Sequence, residues 1–90
     1  MKTTGDNNLK IDWERLARSE CHPTRIDILE LLRLDGGRAL SPNEIATELQ
    51  RHLSTVAYHV TELVKAGLLV VVDQRRARGS IEHFYRLDGV

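Results

Sequence analysis

Residues 41–69 read SPNEIATELQRHLSTVAYHVTELVKAGLL, and they carry the start and stop signals of two consecutive helices. Ser41 is followed by Pro42 and, at the third helical position, by Glu44. A hydroxyl and a carboxylate at this spacing can satisfy each other's exposed backbone amides, and proline suits the first helical position. The sequence therefore predicts a helix from Pro42 to about Gln50.

A further helix is predicted from Ser54 to Ala66, because the glycine that follows is a natural C-terminal stop. At about 100° per residue, Val56, Val60 and Leu63 fall on one side of this helix. That side is expected to pack against the preceding helices. Two short helices with a three-residue connection predict a helix-turn-helix unit.

The chain before this unit predicts two more helices. Over residues 11–20 the apolar side chains fall close to helical spacing, which predicts a short first helix. From Thr24 a wider apolar stripe predicts a second helix that ends at Asp35, where two glycines follow. Residues 1–8 are polar apart from the initial Met and are expected to form a flexible tail, which leaves residues 9–90 as one domain.

After the helix-turn-helix unit, the apolar residues no longer follow the helical period, and the pattern predicts a hairpin. Leu68–Val72 is a continuous apolar run, Asp73–Gly79 is polar and basic, and Ile81–Leu87 mixes apolar and charged residues. We expect a hairpin with a long tip over the polar segment. The predicted fold class is α+β: a winged helix-turn-helix, with four helices followed by a two-stranded β-wing.

Composition excludes several classes of protein. With 90 residues, of which 41% are hydrophobic and 4% aromatic, the chain is expected to form one small soluble domain. The lone Cys21 cannot form an internal disulfide or a Cys-rich zinc site, and no apolar run approaches the ~18 residues of a membrane span. The sequence contains no recognisable set of nucleophile, base and orienting residue, and no Gly-rich phosphate loop. We therefore expect that the protein is not an enzyme and that it binds no cofactor, metal ion or membrane. We also expect it to be cytoplasmic.

The exposed side of the last predicted helix is short, rich in hydroxyls and suited to reading base edges in DNA. The candidate residues on this helix are Ser54, Thr55, Tyr58, His59, Thr61, Glu62 and Lys65. Of these, His59 lies at the edge of the buried side, where a histidine is more often a hydrogen-bonded structural group. The alternative interpretation of the whole face is an ordinary solvated helix surface.

The predicted hairpin tip adds a second candidate surface. Arg75, Arg76 and Arg78 crowd four positions without an acid, in a part of the chain that is net basic although the whole chain has a formal net charge of zero. These arginines suit a phosphate backbone or a minor groove, and Arg51 and Asn43 are candidates for further backbone contacts. The alternative is that the arginines only keep an exposed hairpin soluble and block edge pairing.

Several segments resemble the ArsR-type winged-helix regulators. HPTRIDIL at residues 22–29 looks like the helix that opens their domain, and STVAYHV at residues 54–60 resembles their recognition helix. EHFYRL at residues 82–87, with Arg78 and the glycine after it, looks like their wing and its return strand. The resemblance covers roughly residues 13–87 and implies a bacterial or archaeal transcription regulator, usually a dimer on a pseudo-palindromic operator.

The departures from that family also bear on function. Metal-sensing members carry paired cysteines on the third helix where this chain has Glu48-Leu49-Gln50, so no metal site is expected. The spare apolar groups for a dimer lie in the first predicted helix, and we expect at most a weak homodimer through Trp13 and Leu16. The sequence thus predicts a nucleoid-associated repressor that binds double-stranded DNA sequence-specifically. The alternative is a winged-helix protein-interaction module without DNA binding.

Overall fold

The computed structural model describes residues 22–89. Within that range the elements are α1 (Pro23–Arg33), a 3-10 turn (Leu34–Gly36), α2 (Pro42–Leu49), α3 (Leu53–Lys65), β1 (Leu69–Ala77) and β2 (Ser80–Leu87). The described part therefore holds three α-helices where four were predicted for the whole chain. The first predicted helix, over residues 11–20, and the tail at residues 1–8 lie outside the described residues.

The helix α1 begins at Pro23 because the chain supplies both a proline and a cap there. The side chain of His22 accepts a hydrogen bond from the Thr24 amide through its Nδ1 at 3.1 Å. The helix gives way to the 3-10 turn, where Asp35 takes a positive φ of 55°. The predicted end of this helix at Asp35 falls inside that turn.

The helix α2 begins with the predicted capping box. The Glu44 amide donates to Ser41 Oγ at 3.1 Å, and the Ser41 amide donates to Glu44 Oε1 at 3.0 Å. The helix ends at Leu49, and its C-cap Gln50 is left-handed with a φ of 54° and redirects the chain towards α3. The helix α3 begins at Leu53, one residue earlier than predicted, after His52 as N-cap.

The apolar sides of the three described helices meet the base of the hairpin in one core. In α3, Val56, Val60 and Leu63 are each at most 1% exposed, which confirms the predicted helical phase. The other nearly inaccessible apolar residues come from α1, α2 and β1: Ile28, Leu32, Ile45 and Leu69. Burying one side of α3 in this way leaves the other side in solvent.

The hairpin differs from its prediction at the tip. The strand β1 continues to Ala77, which pairs with Ser80, and the chain reverses over Arg78 and Gly79 alone. Both turn residues have positive φ, 52° and 82°, as a type I′ turn requires. The prediction of a long tip over residues 73–79 was therefore wrong: the ladder of backbone hydrogen bonds continues through a solvent-exposed strand whose polar side chains suggested a loop.

The base of the hairpin is joined to the helical part at one further point. Leu40 pairs with Tyr85 through backbone hydrogen bonds of 3.0 and 2.9 Å in the two directions. Because Leu40 directly precedes the cap of α2, this bridge fixes the start of α2 beside β2. A bulge between Val71 and Asp73 then shifts the register of the outer hairpin.

Candidate nucleic-acid interface

The exposed side of α3 presents most of the residues predicted for base readout. The side chains in solvent are Ser54, Thr55, Tyr58, Thr61 and Lys65. Tyr58 is the most prominent apolar group, at 57% exposed. The structure thus places these side chains together on one helix face that a major groove is wide enough to accept.

Two polar side chains on this face are partly engaged within the helix itself. Thr61 Oγ1 donates to the Ala57 carbonyl at 3.0 Å, which leaves its lone pairs as acceptors. Lys65 Nζ lies 3.4 Å from Glu62 Oε2, so the half-buried carboxylate partly offsets the charge of the lysine. An exposed pair of this kind is readily broken, because surface ion pairs contribute little free energy.

His59 does not belong to the exposed face. It is 6% exposed, and its Nδ1 accepts a hydrogen bond from Arg25 Nε at 2.9 Å. Burial, together with His22 and Arg25 close by, lowers the pKa of His59 below its ordinary value. The predicted role of His59 in reading bases therefore conflicts with its position under the helix surface, because the α3 phase turns this side chain towards α1.

Arg51 lies in the connection between α2 and α3, with its guanidinium turned back onto α1. Its Nη2 donates to Asp27 Oδ2 at 2.5 Å, and its Nη1 donates to Thr24 Oγ1. A phosphate would have to compete with these partners. The structure thus gives Arg51 a role in holding the turn between α2 and α3. The sequence had suggested only that Arg51 contacts the DNA backbone.

Asn43 lies in the first turn of α2 and connects that helix to the wing. Its Nδ2 donates to Glu82 Oε2 at 3.0 Å across 39 residues of chain. Since this hydrogen bond is exposed to solvent, a DNA phosphate near the start of α2 can exchange with it. Asn43 therefore lies between the two candidate surfaces.

The three wing arginines do not share one face. The register pairs Arg75 with Glu82 and Arg76 with Ile81, so neighbouring arginines point to opposite sides of the hairpin. Arg75 Nε lies 3.3 Å from Asp73 Oδ2, and its guanidinium stacks 4.5 Å above the Phe84 ring. The side chain of Arg76 is exposed and makes no hydrogen bond or ion pair with the described residues.

Arg78 occupies the turn itself. It is exposed and has a positive φ of 52°, and its side chain makes no hydrogen bond or ion pair within residues 22–89. The side chains of Arg76 and Arg78 are therefore available to a ligand, whereas the side chain of Arg75 is held by Asp73 and Phe84.

One exposed residue of the interface escaped the sequence analysis. Leu53 is 44% exposed and stands at the first position of α3, ahead of Ser54. The sequence prediction began this helix at Ser54 and so left Leu53 in the connection. An apolar group at this end of the helix suits contact with a thymine methyl.

The described residues contain neither a candidate metal site nor a candidate membrane span. Within residues 22–89, no three His, Cys, Asp or Glu side chains are grouped so that they could hold a metal ion. In the same range no helix combines the length and the apolar character needed to cross a membrane. Cys21, Trp13 and Leu16 lie outside the described residues.

An exposed helix that follows a tight turn and precedes a two-stranded hairpin defines the winged helix-turn-helix class. A family model described as a helix-turn-helix domain matches residues 22–72, more than half of the chain, and the chain belongs to this family. No curated protein sequence matches the chain.

A solved structure from Mycobacterium bovis has a similar fold. It is the homodimeric winged helix-turn-helix DNA-binding domain of a possible ArsR-family transcriptional regulator. The alignment has a TM-score of 0.62 at 23% identity, and it covers 98% of this chain and 74% of that chain. Together with the family match, this similarity confirms the predicted winged helix-turn-helix fold.

Proposed function

We propose that this protein binds double-stranded DNA sequence-specifically and regulates transcription as a repressor. The observation that carries the proposal is the exposed face of α3, where hydroxyls and one prominent aromatic side chain stand on a helix whose other side is buried. A helix held in this way keeps its polar groups in fixed positions. Fixed donors and acceptors are what base-edge recognition in the major groove needs.

In this mechanism α3 lies in the major groove and its first two turns read the bases. Ser54 and Thr55 donate to or accept from base edges, and Leu53 packs against a thymine methyl. Tyr58 reaches across one turn to a base edge or a phosphate. Lys65, at the far end of the helix, neutralises a phosphate beside the groove.

The wing supplies charge next to the groove that α3 occupies. Arg76 and Arg78 are free of ion pairs within the described chain, so both can approach phosphates or a narrow minor groove. Arg75 contributes less, because Asp73 already partners it. Arg51 acts indirectly in this proposal, since it holds the turn before α3.

A dimer is the oligomer that fits this function. The similar Mycobacterium bovis domain is described as homodimeric. Two recognition helices about one DNA turn apart would read a palindrome. We propose a weak homodimer that uses Trp13 and Leu16 and is completed on DNA. Sedimentation of the free protein at low micromolar concentration tests this, because a tight dimer that persists in Trp13→Ala would contradict it.

A protein-interaction module is the second candidate, and exposed apolar groups on the wing favour it. Val71 is 48% exposed, Val72 44% and Ile81 52%. A formal net charge of zero also gives the whole chain no bulk attraction to a polyanion. The module would bind a partner through the wing and leave DNA unbound.

Selection of bound sequences from a random duplex pool separates the two candidates. A DNA-binding regulator enriches a motif, and the symmetry of that motif reports the oligomer on DNA. Its affinity also falls steeply as salt rises, because phosphate contacts release counterions. Absence of both an enriched motif and salt-dependent binding at low ionic strength would favour the interaction module.

A further inference from the structure

A buried hydrogen bond joins the recognition helix to the start of the domain core. His59 Nδ1, in the middle of α3, accepts from Arg25 Nε in the first turn of α1, at 2.9 Å and across 34 residues of chain. Both residues are 6% exposed. Because the bond is direct and shielded from water, it fixes how the polar edge of α3 sits on α1.

The same histidine supports the exposed face of α3 directly. The rings of Tyr58 and His59 meet edge to face, with centroids 5.1 Å apart. On its other side, His59 stacks against the His22 ring at 4.4 Å. A displacement of the His59 ring would therefore move the support of Tyr58, which is the most exposed aromatic group proposed to touch DNA.

The charges around His59 are mostly positive. Arg25 faces it from α1, His22 from the cap of α1, and Arg51 from the connection between α2 and α3. Glu62, one turn further along α3, is the acid that faces it. Burial is the largest influence, followed by His22 and Arg25, and together they outweigh Glu62 and lower the pKa of His59.

Protonation is incompatible with the observed hydrogen bond. Nδ1 acts as an acceptor here, so neutral His59 carries its proton on Nε2. A second proton would turn Nδ1 into a donor that faces the Arg25 N–H, and would place a cation beside a guanidinium. Such a pair relaxes when the two groups separate, which removes a contact that holds α3 against α1.

We propose that His59 is a positioning residue for DNA binding: neutral His59 holds α3 against Arg25, and proton uptake by His59 releases the helix and weakens DNA binding. The proposal rests on the proposed function. It makes operator affinity decrease as pH falls, which is opposite to the gain in affinity that protonation of an exposed histidine near phosphates would give.

The sign of the pH dependence follows from linkage. A histidine whose pKa is lower in the folded state than its ordinary value, about 6.5, binds more protons when released. Neutral His59 stabilises the packing of α3 on α1 fully above about pH 6.5. This stabilisation is lost as pH falls from about 6.5 towards the pKa of His59 in the folded state. Uptake of one proton limits the loss of DNA affinity to about tenfold per pH unit.

The test compares pH profiles of affinity for the selected duplex at constant ionic strength, from pH 7.5 to 5.0. The native protein should lose affinity over this range with a slope approaching one proton. His59→Asn keeps an acceptor near the position of Nδ1 but cannot titrate, so its profile should be flat. Parallel profiles for the native protein and His59→Asn would overturn the proposal.

Two further variants test whether the pH dependence comes from His59 and Arg25. His52→Asn changes an exposed N-cap residue that makes no capping hydrogen bond, and it should keep the native profile. Arg25→Gln keeps an N–H near the position of Nε but removes the charge, so the loss of affinity should begin at a higher pH. A flat profile in His52→Asn would overturn the proposal. So would a loss of affinity in Arg25→Gln that begins at the same pH as in the native protein or at a lower pH.

A measurement on the free protein keeps the inference testable even if His59→Asn does not fold or no duplex is bound. Nuclear magnetic resonance follows the His59 ring and the α3 backbone amides through the same pH range. The amides around Tyr58 should shift with the midpoint at which His59 gains its proton. If His59 titrates and these amides do not move, the helix is not released. Failure to bind duplex at every pH would instead reject the proposed function.

Discussion

The recognition helix and the wing are supported in different ways. The inner side of α3 is almost inaccessible to solvent at Val56, Val60 and Leu63, and a buried hydrogen bond holds the edge at His59. In β1, by contrast, no residue after Leu69 is buried. The helix therefore presents its side chains from a rigid base, whereas the outer wing depends mainly on its own ladder of hydrogen bonds.

The difference corresponds to a division of tasks in the proposed binding of DNA. Base readout needs donors and acceptors fixed to within a fraction of an ångström, which a packed helix supplies. Contacts to phosphates need less precision, because the attraction between charges acts over several ångströms and phosphate contacts carry no sequence information. The base of the wing is held by the Leu40–Tyr85 bridge and by Phe84, which is buried, while its tip at Arg78 remains in solvent.

The largest effect is expected when the buried support beneath α3 is disrupted. Val60→Asp places an unpaired charge at a site that is 1% exposed, and it should lower the free energy of unfolding by about 4 kcal/mol or more. Urea denaturation measures the loss. Val64→Asp is the matched control on the same helix, because Val64 is 38% exposed and should cost less than about 1 kcal/mol. Equal losses would mean that the helix phase is wrong.

Removal of the wing charges should weaken binding without changing base preference. Replacement of Arg75, Arg76 and Arg78 together by Ala should flatten the slope of log affinity against log salt by up to ~2 to 3 units, at about 0.9 for each phosphate that the variant no longer neutralises. Titrations of one duplex at several salt concentrations measure the slope.

Single variants sharpen this prediction. Arg76→Ala and Arg78→Ala should each lower the slope more than Arg75→Ala, because Arg75 is partnered by Asp73. Arg33→Ala removes a charge from the end of α1, where Glu30 pairs with it, and should leave the slope unchanged. An unchanged slope in the triple variant would show that the tip points away from DNA.

Loss of one side chain from the exposed face of α3 should reduce specific binding and spare the fold. Tyr58→Ala should cost ~1 to 3 kcal/mol of affinity for the selected sequence, and the thermal midpoint should stay close to the native value. Tyr58→Phe keeps the ring against His59 and removes only the hydroxyl, so it isolates the polar contact. A collapse of the thermal midpoint in Tyr58→Ala would place this ring in the core instead.

The smallest expected effect lies in the turn between α2 and α3. Gln50 has a φ of 54°, a region in which a side chain is strained and glycine is not. Gln50→Gly should stabilise the domain by up to about 1 kcal/mol, less the entropy that glycine adds to the unfolded chain. Gln50→Ala keeps the strain and should bring no gain. Thermal denaturation compares the two variants, and equal midpoints would argue against strain at this position.

Much of the local structure follows from short-range rules that the sequence makes visible. The capping box at Ser41 and Glu44 predicted the start of α2 correctly because both partners lie within one helical turn. The buried side of α3 was predicted because the spacing of Val56, Val60 and Leu63 matches the helical period. The tip of the hairpin was mispredicted because a polar strand in solvent and a polar loop have similar compositions.

The sequence by itself determined the class of fold, the helical phase of α3 and most of the residues on its exposed side, because periodicity and capping depend on neighbours along the chain. Only the tertiary structure decided which polar groups remain available. Arg51 and His59 are committed to α1 through Asp27, Thr24 and Arg25, between 24 and 34 residues away in the chain. Hydrogen bonds over such separations depend on how the helices pack, and no local pattern in the sequence encodes that packing.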